Sequence, residues 1–156
     1  VQLIQFASWS AMSTEEIKTL TRRFFTEWNK GKAAAMAAID ETCANNIVWH
    51  EPTGEDIRGL KDVKQMFSEF YDAFPDIHFA IDDMIAEGDK VVTRYAITAT
   101  HKGEYKGIPP TNKKVKLWVI EIDRIVGGKF VEGWLSFDTL GFMQQLGVVP
   151  TPAKGK

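Results

Sequence analysis

The chain has 156 residues, 44% of them hydrophobic and 12% aromatic, which is enough for one domain with one substantial core and too few for two. With 19 Lys and Arg against 21 Asp and Glu, the formal charge is -2, so there is no basic surplus to hold a phosphate backbone or an anionic membrane, and neither nucleic acid nor membrane is an expected partner. A single cysteine, Cys43, excludes an intrachain disulfide, and no Cys/His spacing of a zinc site accompanies it, so the expectation is no metal and a reducing, cytoplasmic location.

Residues 1–12 are expected to be an N-terminal extension that adds little to the fold. The opening VQLIQFASWSA lacks the basic start and long apolar stretch of a secretory signal, and MSTEEI from Met12 reads as a natural start. No apolar run approaches the length of a membrane span. The domain proper is read as residues 13–150. Its first element is a helix in which Ile17, Leu20, Phe24 and Trp28 recur at spacings of three and four behind a Ser13/Thr14 cap with Glu16 close by, ending near Gly31. KAAAMAAID at 32–40 has the propensity and small side chains of a short second helix. NIVWH at 46–50 reads as a strand. Leu60, Val63, Phe67, Phe70 and Phe74 define a third helix, which Pro75 ends.

Beyond Pro75 the period changes from helical to two. Strands are expected at about 77–87, 90–101, 115–125 and 129–137, separated by Gly88-Asp89, by GIPPTNKK and by Gly127-Gly128. Tight turns between successive strands imply an antiparallel, strongly curved sheet. After Asp138 a short apolar helix pattern begins, and residues 151–156, TPAKGK, read as a flexible tail. Helices gathered at the front and strands at the back describe an α+β domain with helices covering one sheet face.

The element order, the segment THKGEYKGIPPTNKKV and the ending RIVGGKFVEGW followed by DTLGFMQQLGVVP resemble the polyketide cyclase family typified by SnoaL, within the nuclear-transport-factor-two-like superfamily. The likeness covers about residues 13–150. It implies a cone in which a curved sheet wraps the N-terminal helices around a deep pocket, with a homodimer packed through the sheet. It also implies chemistry on a small hydrophobic or polar-tipped ligand without metal or cofactor. Family cyclases use an aspartate on the last strand, helped by a histidine and a glutamine on the preceding one. The resemblance puts these positions at Leu135, Glu121 and Val119, so all three are changed, and a leucine cannot take a proton.

Glu121 is the expected replacement. It interrupts the apolar run LWVIEIDRI on the same face as Leu117 and Val119, and a carboxylate there is either paired with a cation or raised in pKa toward the range of a general acid or base. Asp123 shares its parity but stands by Arg124 near the strand end, and is read as solvated. His50 closes its strand and, by the resemblance, lines the pocket, where it assists proton transfer or is a satisfied structural histidine. His101 sits in a charged stretch and is read as surface. Asp138 ends a strand and begins a helix, so it is either a second acid or a helix cap. Arg94 is a lone cation in KVVTRYAIT that needs an acceptor, Glu121, Asp138 or a ligand oxygen. Trp49 and Trp134 are candidate flat walls for the ligand, while Trp118, opposite in parity to Glu121, is expected with Ile120 and Ile122 on an outward, dimer-forming face. Three functions fit these residues: a cyclase-like, isomerase-like or lyase-like acid–base enzyme, an epoxide-hydrolase-like enzyme, and a binding protein that has kept the pocket without the chemistry.

Overall fold

A computed structural model of the chain describes residues 12–151. The expected N-terminal extension and tail lie outside the described residues, except that Met12 packs against the core and Thr151 is exposed. Helix α1 runs Thr14–Trp28 and starts with a complete capping box, in which the Ser13 side chain accepts from the Glu16 N–H and the Glu16 carboxylate accepts from the Ser13 N–H. Its stripe of Ile17, Thr21, Phe24, Phe25 and Trp28 is buried. Helix α2, Lys32–Thr42, follows Gly31, whose φ of 106° is in the region that favours glycine. Alanines at 35 and 38 let α2 lie close to its neighbours.

Strand β1 is longer than the sequence pattern implies, Cys43–His50, and it pairs with a three-residue strand β2, Asp56–Arg58, that the pattern does not announce. Helix α3, Leu60–Ala73, stops one residue before Phe74, where Pro75 ends the ladder. Strands β3 (His78–Glu87), β4 (Lys90–Thr100), β5 (Lys114–Val126) and β6 (Lys129–Phe137) form the expected meander, and α4 (Thr139–Leu146) closes the chain. The sheet order is β2-β1-β6-β5-β4-β3. All pairs are antiparallel except β1 with β6, which run parallel and bring Trp49 opposite Gly133. That pairing departs from an all-antiparallel reading, and its cause is topological: β1 precedes α3 and the whole meander, so its approach to the last strand is not dictated by a tight turn.

Irregularities in register at Ile81/Asp83 and Arg124/Ile125 bend the strands, and the sheet curves around α1 and α3. Burial along β5 alternates without a break up to Ile125: Val115, Leu117, Val119, Glu121, Asp123 and Ile125 face in, while Lys116, Trp118 and Ile120 face out. The loop from His101 to Lys113 between β4 and β5 folds back on α3, held by the Lys102 and Gly103 N–H groups donating to the Ala73 carbonyl at 2.9 and 3.0 Å. His101, read from the sequence as surface, is instead fully buried. Its ring stacks on Phe74, and Thr111 hydrogen-bonds its Nδ1, so the charged residues that follow it mark only the loop tip.

Candidate active site

Between α1, α3 and the inner face of the sheet lies a cavity of about 110 Å³, walled mainly by aromatic side chains that include Phe24, Phe25, Trp28, Phe67 and Phe79. Its polar groups are few. Glu121 and Tyr95 come from the inner face of the sheet, while Glu51, Glu69, Tyr105 and Lys106 are the other hydrogen-bonding side chains on the lining, apart from the two indoles. Glu51 and Lys106 face one another at 3.6 Å.

Glu121 is 4% exposed, and the Tyr95 hydroxyl donates to its Oε2 at 2.6 Å. Asp123 lies two residues on, on the same face, and is 3% exposed, so the reading of it as solvated does not hold. The cause is strand parity: any residue two positions from Glu121 shares its inward face, and Arg124, one position away, points out to Glu132. Among the described residues no lysine or arginine pairs with either carboxyl; Arg94 pairs instead with Asp83, at 2.5 Å, and with Asp82.

Two buried carboxyls without a cationic partner are both biased toward their protonated forms. Burial pushes Glu121 up to about 7, against which the hydrogen bond from Tyr95 pulls down. Asp123 is raised well above the ordinary carboxylate range, first by burial and then by the charge of Glu121. The Tyr95 hydroxyl is itself pushed up by burial and by Glu121, so it remains a donor. Both shifts raise proton affinity, and a carboxylate whose proton affinity is raised toward neutrality meets the electrostatic condition for acid–base work.

The other candidates divide by face. Trp49 is buried on the cavity wall, packed on Gly133. His50, its neighbour in sequence, points out. It bridges Asp56 at 2.6 Å and Glu132 at 3.1 Å and stacks on Trp134, and these carboxylates, Glu132 first, raise its pKa. Trp134 is on the same outer face, with Lys90 over its ring. Arg94 is outside as well, so neither Glu121 nor Asp138 is its acceptor. Asp138 is exposed, and its Oδ1 accepts from the Gly141 N–H at 2.7 Å as the cap of α4. Sequence reasoning missed Tyr95 as a cavity-lining group, Asp123 as a buried inward one and Trp28 as a second lining group. For the first two the signal was present as simple alternation, and for Trp28 the helical stripe marked burial without marking a cavity.

Val119, Glu121 and Leu135, the positions singled out by resemblance, all line this one cavity, and Glu121 and Leu135 are cross-strand partners. Among the described residues, no three His, Cys, Asp or Glu side chains gather as metal ligands would, and no helix is long and apolar enough to cross a membrane.

No curated protein matches the chain. Among solved structures it is similar to AclR of Streptomyces galilaeus, a candidate hydroxylase, at 29% identity and a TM-score of 0.79 over 91% of each chain. It is similar to a candidate polyketide cyclase of Acidithiobacillus ferrooxidans at 29% identity and a TM-score of 0.73, over 89% of this chain and 100% of that one. A candidate polyketide cyclase of Bacillus cereus is also 29% identical, with a TM-score of 0.69 over 89% of this chain and 87% of that one. Residues 18–146 match the model of the SnoaL-like polyketide cyclases. With that match spanning nearly the whole of the domain whose cavity has just been described, the chain belongs to the SnoaL-like polyketide cyclase family.

Proposed function

We propose that this protein is an acid–base catalyst of the cyclase or isomerase kind, acting without metal or cofactor on a largely apolar carbonyl compound, with Glu121 as the proton acceptor. The observation that carries the reading is a buried carboxyl, held near neutral pKa, on the wall of an aromatic cavity. Glu121 takes a proton from the carbon next to a ligand carbonyl. Tyr95 fixes the orientation of its carboxylate through the bond to Oε2. Asp123, buried two residues further along the same strand face, is pushed by burial and by the charge of Glu121 toward its protonated form, so the two do not present two full charges side by side. His50 and Asp138 have no part in this step, because one lies on the outer face and the other caps a helix.

The test is exchange of the α-protons of a neutral cyclic ketone, α-tetralone, in deuterated buffer. The protein is expected to speed exchange well above the buffer rate. Saturable binding with exchange at the buffer rate would instead make the cavity a binding site, a second reading favoured by Leu135, which puts a hydrocarbon at the family's aspartate position on the same wall.

The outer sheet face supports a homodimer. Ile85, Trp118 and Ile120 are 69%, 54% and 51% exposed, and they stand with Ile122 and Trp134 in one apolar band flanked by the Arg94/Asp83 and Arg124/Glu132 pairs. Sedimentation at micromolar concentration is expected to give a dimer, and Trp118→Asp, which would bury a charge at the contact, to give monomer with the fold intact. A monomeric parent protein would refute it.

A further inference from the structure

A proton abstraction needs more than a base: the charge leaving the carbon has to settle on oxygen, and oxygen needs donors. Among the described residues, four buried side-chain polar atoms have no hydrogen-bond partner: Trp28 Nε1, Trp49 Nε1, Thr93 Oγ1 and His101 Nε2. The two tryptophans line the cavity onto which Glu121 faces, whereas Thr93 and His101 do not. An indole N–H can only donate, and leaving it buried without an acceptor forfeits the hydrogen bond it would make in water.

Packing, not an acceptor, fixes both rings. A Cβ on Gly133 would stand 2.8 Å from Cε3 and Cζ3 of Trp49, so only glycine lets that ring lie so deep on β6. Cε3 and Cζ3 lie across the indole from Nε1, so this contact with β6 does not occupy the N–H. Trp28 and Trp49 both meet Phe67 edge-on, at 4.4 and 5.2 Å between ring centroids, and Phe67 is itself a cavity wall. The phenylalanine rings packed on them offer only π faces, which are weaker acceptors than a carbonyl oxygen, and the hydroxyl of Tyr71 is engaged by the Trp28 carbonyl.

We propose that the indole N–H groups of Trp28 and Trp49 are the oxygen-binding donors of this site. This rests on the acid–base reading of Glu121 and extends it to the ligand. Two donors and one base fit an apolar carbonyl compound in which two oxygens flank the acidic carbon. The C–H bond breaks, the proton goes to the Glu121 carboxylate, and the electron pair spreads onto the two oxygens, where the indoles hold the charge. The reverse transfer from Glu121 returns the proton, so no further reactant is needed.

The probes are 2-acetylcyclohexanone and its hydrocarbon counterpart ethylcyclohexane, titrated into protein carrying isotope-labelled tryptophan. The expected result is that the diketone moves both indole N–H resonances downfield and the hydrocarbon moves neither. Trp28→Phe and Trp49→Phe are each expected to weaken diketone binding about fivefold to tenfold, leaving the hydrocarbon unaffected. Unmoved indole resonances at saturating diketone, no diketone binding at all, or equal loss of both ligands in the phenylalanine variants would overturn the proposal. If a variant does not fold, the resonances of the parent protein decide alone. Because this readout is binding, it separates from turnover. Indole shifts without ketone exchange would sink the enzymatic reading alone, and exchange with unmoved indoles would sink this inference alone.

Discussion

Glu121→Gln is expected to lower turnover by roughly a hundredfold or more and, in the same protein, to raise stability at neutral pH and above. The activity follows from removing the buried carboxylate that the inner sheet face presents to the cavity, while glutamine keeps the volume and an oxygen for the Tyr95 hydroxyl. The stability follows from linkage. The ordinary Glu value is 4.5, and in the folded protein burial raises it to about 7. The folded state therefore holds a proton that the unfolded chain has lost. That contribution is fully present below 4.5 and disappears as pH rises through about 7. The loss across this window is on the order of 3 kcal/mol by the conversion of pKa shift to free energy. Asp123, raised by burial and by the charge of Glu121, contributes a decline of the same sign.

Glutamine neither titrates nor has to be desolvated as an ion, so the urea midpoint of the variant should be flatter with pH across this window than that of the parent. Chemical denaturation at a series of pH values, with ketone exchange measured on the same samples, checks both parts. Undiminished exchange would remove Glu121 from the mechanism, and a parent midpoint that stays level between acid and neutral pH would show the carboxyl to be ordinary.

Gly103→Ala is expected to destabilise the fold by about 2–4 kcal/mol and to weaken ligand binding with it. A Cβ at residue 103 would lie 2.2 Å from the Asp72 carbonyl oxygen and 3.0 Å from the Ala73 Cα, and these are backbone atoms of α3 that no rotamer change can move aside. Relief requires the loop to lift from the helix end. That breaks the hydrogen bonds from Lys102 and Gly103 to the Ala73 carbonyl and pulls Tyr105 from its contacts with Phe70, Phe74 and Phe142. Since Tyr105, Phe70 and Phe142 line the cavity, a stability change and an affinity change should appear together. Gly107→Ala is the control: nothing stands within 4 Å of its Cβ position, so only the strain of a φ near +80° remains. Equal midpoints for the parent and Gly103→Ala would show that the loop does not rest on α3.

Much of the molecule was legible from residue order alone because the forces concerned are local. The capping box at Ser13 and Glu16, the stop at Pro75, the glycine turns between strands and the alternation along β5 depend on neighbours one to four residues away, and each stands where the pattern puts it. The same alternation was enough to turn Glu121 inward and Trp118 outward. Applied to adjacent pairs it also forbids Trp49 and His50, or Trp134 and Leu135, from sharing one face. His50, Trp134 and Arg94 are on the outer face for that reason.

What residue order could not decide was which distant groups meet. The parallel pairing of β1 with β6 lays Trp49 on Gly133 beside Asp123, from segments about eighty residues apart. The pairing of β4 with β5 brings Tyr95 within hydrogen-bond reach of Glu121. The low dielectric that raises the two carboxyls comes from α1 and α3 closing over the sheet, not from any neighbour in sequence. A strand's period determines the direction of a side chain, but solvation, partner and proton affinity are sums over everything packed around it. For that reason a carboxylate could be placed on a face from sequence, while its role as a base could be argued only once the cavity had closed around it.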